Sequence, residues 1–168
     1  NVLEHGKYIM GPEVQQLEKE LCDYTGSKYC LTCANGTDAL QMALMALGIG
    51  PGDAVFVPSF TFMSTAEVVN LVGATPIFAD IDIDTFNLNP ESFEHAVQDA
   101  ITKKDLKPKA VIPVDLFGQC AGYEKIIPIA KKYGLFVIED AAQGFGGSIN
   151  GKMACSFGDI SITSFFPA

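Results

Sequence analysis

The residues with the clearest chemical potential are two adjacent carboxylates, Glu139 and Asp140, followed three residues later by Gln143. They end an apolar segment, and residues just after a strand face the ligand crevice in parallel α/β sheets. A carboxylate there can keep a cationic heterocyclic nitrogen protonated and raise the pKa of that nitrogen by about 1–3 units. Gln143 can contact another edge of the same ligand. Taken alone, the motif favours a simpler alternative, an aspartate that caps the following turn.

Two further segments together predict a phosphate site. In Asn35-Gly36-Thr37-Asp38, a strand end passes through glycine into a helix start, where free backbone N–H groups and the Thr37 hydroxyl can bind an anion. The Thr163-Ser164 pair lies at the end of another apolar strand, and a hydroxyl there can complete that site. Each segment alone is also explained by ordinary capping of a helix or a turn.

The cysteine and histidine residues do not form a metal-binding pattern. Cys30 and Cys33 lie in a segment, 29–34, that is predicted to be a buried strand. Residues three apart on a strand point to opposite faces, so these thiols would not converge on one ion. His5 and His95 are far apart in sequence and supply no second pair of ligands. We expect no metal site.

Two other segments imitate known ligand loops. The glycines of 144–147 resemble a dinucleotide-binding loop, but a hairpin-like stretch rather than a helix follows them. The alternating aspartates of 80–84 resemble a calcium loop, but the glycine and the terminal glutamate of that loop are missing. The second segment is interpreted as a strand end with one solvent-facing side.

The elements that must position these residues alternate along the chain. Short apolar runs predict strands, and stretches with a 3.6-residue period predict helices between them. This alternation predicts one α/β domain with a mainly parallel central sheet and helices on both faces. Strands are predicted at 29–34, 54–57, 75–79, 110–114, 135–139 and 160–164, and helices at 14–25, 40–47, 64–71, 93–100 and at a stretch that Pro128 either starts or kinks.

Composition narrows the class of partners. The chain has 168 residues, a net charge of −9 and 11 basic residues, every one of them lysine. The acidic balance and the absence of arginine argue against nucleic acid. No apolar run reaches the roughly 18 residues of a membrane span, and five cysteines in apolar settings suit reduced thiols. We expect a cytoplasmic protein, and both ends of this sequence, Asn1 and Ala168, are expected to lie inside a longer chain.

A wider pattern comprises six segments, 5–14, 34–40, 58–62, 115–119, 138–143 and 164–167. Together they resemble the nucleotide-sugar aminotransferases, a branch of the fold type I enzymes that use pyridoxal 5′-phosphate (PLP) and are related to aspartate aminotransferase. Within that branch, the sequence is most similar to the enzymes that aminate C3 of UDP-2-acetamido-2-deoxy-3-oxo-glucuronate for bacterial surface polysaccharides. The similarity runs nearly end to end and implies the large PLP-binding domain, incomplete at both ends.

The resemblance implies a phosphate site for the cofactor. Gly36, Thr37 and the backbone N–H of Asp38 would bind the PLP phosphate, and the Ser164 hydroxyl would contribute a further donor.

The resemblance also implies contacts to the cofactor ring. Asp140 would pair with the pyridinium nitrogen, and Gln143 would hydrogen-bond the ring hydroxyl. Phe62 would stack on the pyridine face, whereas the residue pattern without the family favours an ordinary core aromatic.

The implied reaction passes an amino group from a donor, usually glutamate, through the cofactor to a keto nucleotide-sugar. The family's Schiff-base lysine follows Ser-Phe-Phe-Pro-Ala directly, so we expect it immediately after Ala168, with a small C-terminal domain beyond. The active sites of the family lie between two subunits, which implies a homodimer. Because the chain has no arginine, groups that bind the substrate's diphosphate are expected elsewhere, or among lysines and backbone donors.

Three alternatives remain at this point. A histidine in place of the expected lysine would indicate the related PLP-dependent sugar dehydratases. A homologue without turnover would be a regulatory protein. An NAD-binding domain is the least favoured reading, because the glycines are wrongly placed.

Overall fold

The computed structural model describes residues 1–103 and 105–166, in which helices and strands alternate. In chain order the elements are α1 (Val2–His5), α2 (Pro12–Thr25), α3 (Gly36–Ala46), β1 (Asp53–Pro58), α4 (Ser64–Leu71), β2 (Thr75–Ala79), α5 (Pro90–Lys103), β3 (Lys107–Val111), a 3₁₀ turn (Leu116–Gly118), α6 (Tyr123–Tyr133), β4 (Phe136–Asp140), β5 (Ser148–Ile149), β6 (Lys152–Met153) and β7 (Ile160–Ile162).

Within the described residues, five strands form one parallel sheet in the order β2-β1-β3-β4-β7. The short strands β5 and β6 form a separate antiparallel hairpin, which confirms the hairpin predicted after the glycines of 144–147. The predicted parallel sheet is likewise confirmed. Since all its strands run the same way, their carboxyl ends and the loops that follow them lie along one edge.

Helices cover both faces of the sheet, as the sequence predicts. Side chains of β1 alternate between two buried clusters, with Val55 and Val57 on one face and Phe56 on the other. The first cluster contains apolar residues of α3 and α4, and the second contains those of α5 and α6. Phe56 packs against Phe93 with ring centroids 5.6 Å apart. The sheet is therefore buried on both sides, which explains the nearly continuous apolar runs.

Most predicted bounds need only small changes, and two need correction. The predictions for 64–71 and 75–79 coincide with α4 and β2. β3 lies earlier than predicted, and only an isolated bridge from Val114 to Asp140 extends it. Pro128 lies inside α6, so it does not start that helix. None of the helices in the described residues is long and apolar enough to traverse a lipid bilayer.

The strand predicted at 29–34 is wrong. Among the described residues it pairs with no other strand, and Tyr29 and Leu31 are 77% and 83% exposed. The N–H and the hydroxyl of Thr32 instead donate to Glu18 Oε1 on α2, at 2.8 and 3.0 Å. The apolar residues of the segment predicted burial, but a strand also needs a neighbour whose backbone groups it can pair with.

Because 29–34 is not a strand, Cys30 and Cys33 are not separated by the two faces of a strand. Cys33 is exposed and donates its thiol to the Asn35 carbonyl oxygen at 3.3 Å. In residues 1–103 and 105–166, no three His, Cys, Asp or Glu side chains are close enough together to hold a metal ion.

The acidic segment 80–84 forms a turn more than a strand end. Ile81 makes a single bridge to Leu88. Asp82 Oδ1 accepts the N–H groups of Asp84 and Thr85 at 3.0 and 3.2 Å. The side chain of Asp82 is thus used by the turn itself, which is an ordinary role for aspartate.

Glu139 is fully buried, and its carboxylate ties the sheet to the loop after the hairpin. Oε1 accepts the Cys155 N–H at 2.6 Å. Oε2 accepts the Phe157 N–H and the Ser161 hydroxyl, each at 2.7 Å, and the Gly158 N–H at 3.2 Å. Because these donors satisfy both oxygens, Glu139 has a structural role.

We predict that Glu139→Gln destabilises the protein. The substitution turns an NH₂ group toward N–H and O–H donors, so the free energy of unfolding should fall by about 2–4 kcal/mol. Urea unfolding of the complete protein measures the change. Glu91→Gln is the control. Among the described residues, the Glu91 side chain makes only an exposed ion pair with Lys125, at 3.8 Å, so this substitution should change stability by less than about 0.5 kcal/mol. A Glu139 variant as stable as this control would contradict the structural role.

Candidate functional site

Asp140, the last residue of β4, is the buried centre of the site. Its side chain is 4% exposed. Oδ2 accepts the hydroxyl of Thr65 on α4 at 3.2 Å, and Oδ1 accepts the Ala142 N–H at 3.2 Å. One oxygen therefore caps the following turn, as the simpler alternative predicted. The other oxygen is held by Thr65 of α4, from a distant part of the chain.

The environment of Asp140 has opposing effects on its protonation. Burial raises the pKa of the carboxyl group, because removal from water disfavours its charged form. The hydrogen bonds from Ala142 and Thr65 lower that pKa, because they stabilise the carboxylate. A cation in contact with this group would favour the charged form strongly, since little water is present to screen the attraction.

The start of α3 and the residues after β7 meet next to Asp140. A Cβ atom placed on Gly36 would lie 3.1 Å from the Cβ atom of Ser164 and 3.6 Å from its Oγ. The Thr163 hydroxyl donates to the Ala141 carbonyl oxygen at 3.1 Å, which ties this segment to the end of β4. Gly36 therefore packs closely against Ser164, and a side chain at position 36 would have to displace Ser164 slightly. The two segments predicted to form a phosphate site are thus in contact.

In the first turn of α3, some backbone N–H groups have a hydrogen-bond acceptor and others do not. Asn35 caps the helix, and its Oδ1 accepts the Asp38 N–H at 2.9 Å. The Ala39 N–H donates to the Asn35 carbonyl oxygen at 3.1 Å. Among the described residues, the N–H groups of Gly36 and Thr37 have no acceptor. These two groups, rather than the Asp38 N–H, are the donors that the helix start can offer to an anion.

Gln143 lies in the loop after β4, with its side chain exposed. Its Oε1 accepts the Phe117 N–H at 2.8 Å. Only the amide oxygen can accept, so this contact fixes which end of the side chain is which. Within the described part of the chain, Nε2 has no partner, and the free end of Gln143 is therefore a hydrogen-bond donor.

Phe62 lies in the loop between β1 and α4 and is 70% exposed. The alternative that it is a core aromatic is wrong, and its ring is available to contact a ligand. Its carbonyl oxygen accepts the Thr65 N–H at 3.2 Å, so Phe62 is one turn away from the residue that holds Asp140.

Thr65 is the site residue that sequence reasoning missed. It is fully buried, and its hydroxyl contacts both Asp140 and Thr61, each at 3.2 Å. Nothing in the local sequence marks it, because a threonine in the first turn of a helix is common. The useful signal would have been that a polar residue lies at a core-facing position of α4.

Asp115 packs against the loop 140–144, at Asp140 and at Gly144. It is fully buried, and its Oδ1 accepts the Ala121 N–H at 2.9 Å and the Tyr123 hydroxyl at 2.8 Å. Its Oδ2 has no hydrogen-bond partner among the described residues. A Cβ atom on Gly144 would lie 2.7 Å from Oδ2, so only glycine fits there. Burial raises the pKa of Asp115 to about 7, and the negative charges of neighbouring carboxylates act in the same direction.

We predict a pH-dependent stability that comes from Asp115. The ordinary pKa of this side chain is 3.8 and the raised value is about 7, so between these values the folded state keeps a proton that the unfolded chain releases. The contribution of Asp115 to the free energy of unfolding is therefore complete below about pH 4, and it is lost as the pH rises to about 7. In the wild type, Asp115 should make the free energy of unfolding fall by up to about 1.4 kcal/mol per pH unit in this range. Asp115→Asn should remove this part of the slope.

Urea unfolding of the complete protein at a series of pH values measures that slope. Asp99→Asn, at an exposed position on α5, is the control and should leave the slope unchanged. An Asp115 variant with the wild-type slope would contradict the raised pKa.

Comparison with known proteins agrees with the resemblance stated above. A sequence model of the DegT/DnrJ/EryC1/StrS aminotransferase family matches residues 1–168. The chain is 54% identical over 167 residues to UDP-2-acetamido-2-deoxy-3-oxo-D-glucuronate aminotransferase from Pseudomonas aeruginosa, covering 99% of this chain and 45% of that protein. It is 45% identical over 166 residues to a pleiotropic regulatory protein from Geobacillus stearothermophilus, covering 99% and 43%.

The fold agrees equally well with a solved structure. The crystal structure of a DegT DnrJ EryC1 StrS aminotransferase from Brucella abortus superposes with a TM-score of 0.97 and is 56% identical, covering 99% of this chain and 44% of that one. The chain thus spans less than half the length of these relatives.

Proposed function

Because the chain belongs to the DegT/DnrJ/EryC1/StrS aminotransferase family, we propose that the complete protein transfers an amino group from glutamate to a keto nucleotide-sugar, with PLP as cofactor. The observation that carries the proposal is the contact between Gly36 and Ser164 beside the buried carboxylate of Asp140. It brings anion donors and a buried acid together at one edge of the sheet.

The described residues fit PLP in charge and in hydrogen-bonding capacity. The phosphate would meet the N–H groups of Gly36 and Thr37 and the hydroxyls of Thr37 and Ser164. Asp38 would contribute to the phosphate site indirectly, because its N–H donates to the Asn35 side chain that caps the helix. The fit therefore keeps the predicted phosphate site and shifts the backbone donors to the first two residues of α3.

The ring contacts follow the same logic. Asp140 would hold the proton on the ring nitrogen, and Thr65 would orient its carboxylate. Gln143 would donate its free Nε2–H to the ring hydroxyl, and Phe62 would stack on the ring face. When bound, PLP supplies a ring that withdraws electrons from the carbon at which the amino group is exchanged. The protonated nitrogen strengthens this effect, so Asp140 matters for the reaction itself.

We propose a UDP-linked 3-keto sugar of the N-acetylglucosaminuronate type as the acceptor. The support is the 54% identical relative from Pseudomonas aeruginosa, whose name specifies UDP-2-acetamido-2-deoxy-3-oxo-D-glucuronate. The product would enter the synthesis of a bacterial surface polysaccharide such as O-antigen. The described residues offer no arginine for the diphosphate, so we place those contacts in the rest of the protein or in a partner subunit.

The proposal extends to the architecture of the complete protein. Residues 1–168 would be part of the large PLP-binding domain, followed by a small C-terminal domain. The protein would act as a homodimer in the cytoplasm.

We predict that the residue immediately after Ala168 is a lysine that binds PLP covalently. Mass spectrometry of a peptide from the complete protein, after borohydride treatment, should show a lysine carrying the reduced cofactor. A histidine at that position would contradict transamination and favour a sugar dehydratase.

Asp140→Asn should retain the cofactor but lose most activity. A neutral amide cannot stabilise a protonated ring nitrogen, so the rate of amino transfer should fall by about 100-fold or more. The assay follows 2-oxoglutarate formed from glutamate and the 3-keto sugar nucleotide, and visible absorbance of bound PLP reports retention. Asp99→Asn is the matched control. Near-normal turnover in the Asp140 variant would refute its role.

A regulatory role without turnover is the second candidate, and it is favoured only by the name of the Geobacillus relative. The same assay separates the two candidates. Wild-type protein that binds PLP through the lysine, but transfers no amino group from any donor to any keto sugar nucleotide, would support the regulatory role.

A further inference from the structure

Asn87 is a buried side chain, far from Gln143 in sequence, that hydrogen-bonds the loop whose Phe117 N–H contacts Gln143. It is 4% exposed. Its Oδ1 accepts the Leu116 N–H at 3.1 Å, and its Nδ2 donates to the carbonyl oxygens of Gln119 and Cys120 at 2.9 and 3.3 Å. Three hydrogen bonds from one side chain therefore fix both ends of the loop 116–120.

The loop between these ends has an unusual backbone. Phe117 has a φ of 56° and Gly118 a φ of 86°. The left-handed conformation costs a residue with a side chain about 1–2 kcal/mol, so it persists only where the surroundings impose it. In this conformation the Phe117 N–H points to Gln143 Oε1 at 2.8 Å.

The Phe117 ring is held from two other loops. It contacts Phe60 and Phe86 with centroid distances of 6.4 and 6.3 Å, and the latter two rings lie 5.7 Å apart. Each of these phenylalanines follows a different strand of the sheet. The two rings thus hold the Phe117 side chain by packing, while the hydrogen bonds of Asn87 fix the backbone of the loop.

Consecutive N–H groups of this loop serve different acceptors. The Asp115 N–H donates to the Asp140 carbonyl oxygen at 2.9 Å. The next N–H goes to Asn87 and the third to Gln143. The loop thus aligns the backbone of Asp140 and the side chain of Gln143 at once, and Asn87 supplies the acceptor in the middle.

We propose that Asn87 is a positioning residue for the cofactor site, acting through the Phe117 N–H on Gln143. By holding the loop, it keeps the oxygen of Gln143 occupied and turns the NH₂ end toward the ring hydroxyl of the cofactor. Asn87 touches neither cofactor nor substrate in this arrangement. The inference rests on the proposed function, because it concerns the PLP ring.

The test compares the binding of pyridoxamine 5′-phosphate and its 3-deoxy analogue to the complete protein, by calorimetry. Both ligands bind without a covalent bond, and they differ only in the ring hydroxyl. One good hydrogen bond corresponds to roughly a tenfold ratio of dissociation constants in the wild type. Asn87→Ala should reduce the ratio to about twofold or less, as should Gln143→Leu, whereas Asn70→Ala at an exposed position of α4 should not.

A second variant covers the case in which Asn87→Ala does not fold. Replacing the Phe117 amide by an ester, through incorporation of phenyllactic acid, removes the N–H and keeps the side chain. This variant should also reduce the ratio to about twofold or less.

The outcomes separate the inference from the proposed function. A tenfold ratio that persists in Asn87→Ala or, where that variant does not fold, in the ester overturns the inference alone. Wild-type protein that binds neither ligand overturns the proposed function, and the inference with it.

Discussion

The architecture depends on two adjacent carboxylates at the end of β4 that point to opposite faces of the sheet. Neighbouring residues of a strand alternate in direction, so one sequence position separates two chemical environments. Glu139 is saturated by donors from the loop 155–158 and from β7. Asp140 receives one donor on each oxygen, from Thr65 and Ala142. The same strand end thus fixes the position of β7 with one acid and presents the other acid to the site.

The loops at the carboxyl edge of the sheet are positioned by side chains that accept backbone N–H groups. Asn35, Asn87, Asp115 and Gln143 each accept at least one N–H from a loop or a helix start. Buried backbone groups must find partners, and these irregular loops provide only some of them from their own backbone. The polar residues of this edge therefore support the loop conformations, and the groups left over, on Gly36, Thr37 and Gln143, are those that can bind a ligand.

The sequence predicted the sheet, the covering helices and the segments that meet at the site, because these depend on local periodicity and on the parallel arrangement. Helix α4 and strand β2 were predicted to the residue. The strand at 29–34 failed because strand formation depends on a partner outside the segment. The hydrogen-bond partners of Thr65 and Asn87 could not be predicted, since Asp140 and Leu116 are 75 and 29 residues away in sequence. The acidic turn around Asp82 was excluded as a calcium loop, but only the structure shows that it holds the Asn87 backbone. The Asp82 N–H donates to the Asn87 carbonyl oxygen at 2.9 Å, and the Asn87 N–H donates to the Thr85 hydroxyl at 3.3 Å.

The groups that the described residues offer to the predicted phosphate are neutral N–H and hydroxyl donors, on Gly36, Thr37 and Ser164. Such donors are consistent with the burial of Asp140. A lysine or arginine beside Asp140 would pair with its carboxylate and compete with a cationic ring nitrogen for the same charge. Neutral N–H and hydroxyl groups bind a phosphate without doing so. Burial raises the pKa of Asp140 while hydrogen bonds oppose that effect, so the carboxylate is best stabilised by a cation that is itself shielded from water. A protonated heterocycle meets this condition, and a mobile surface lysine, which stays hydrated, does not.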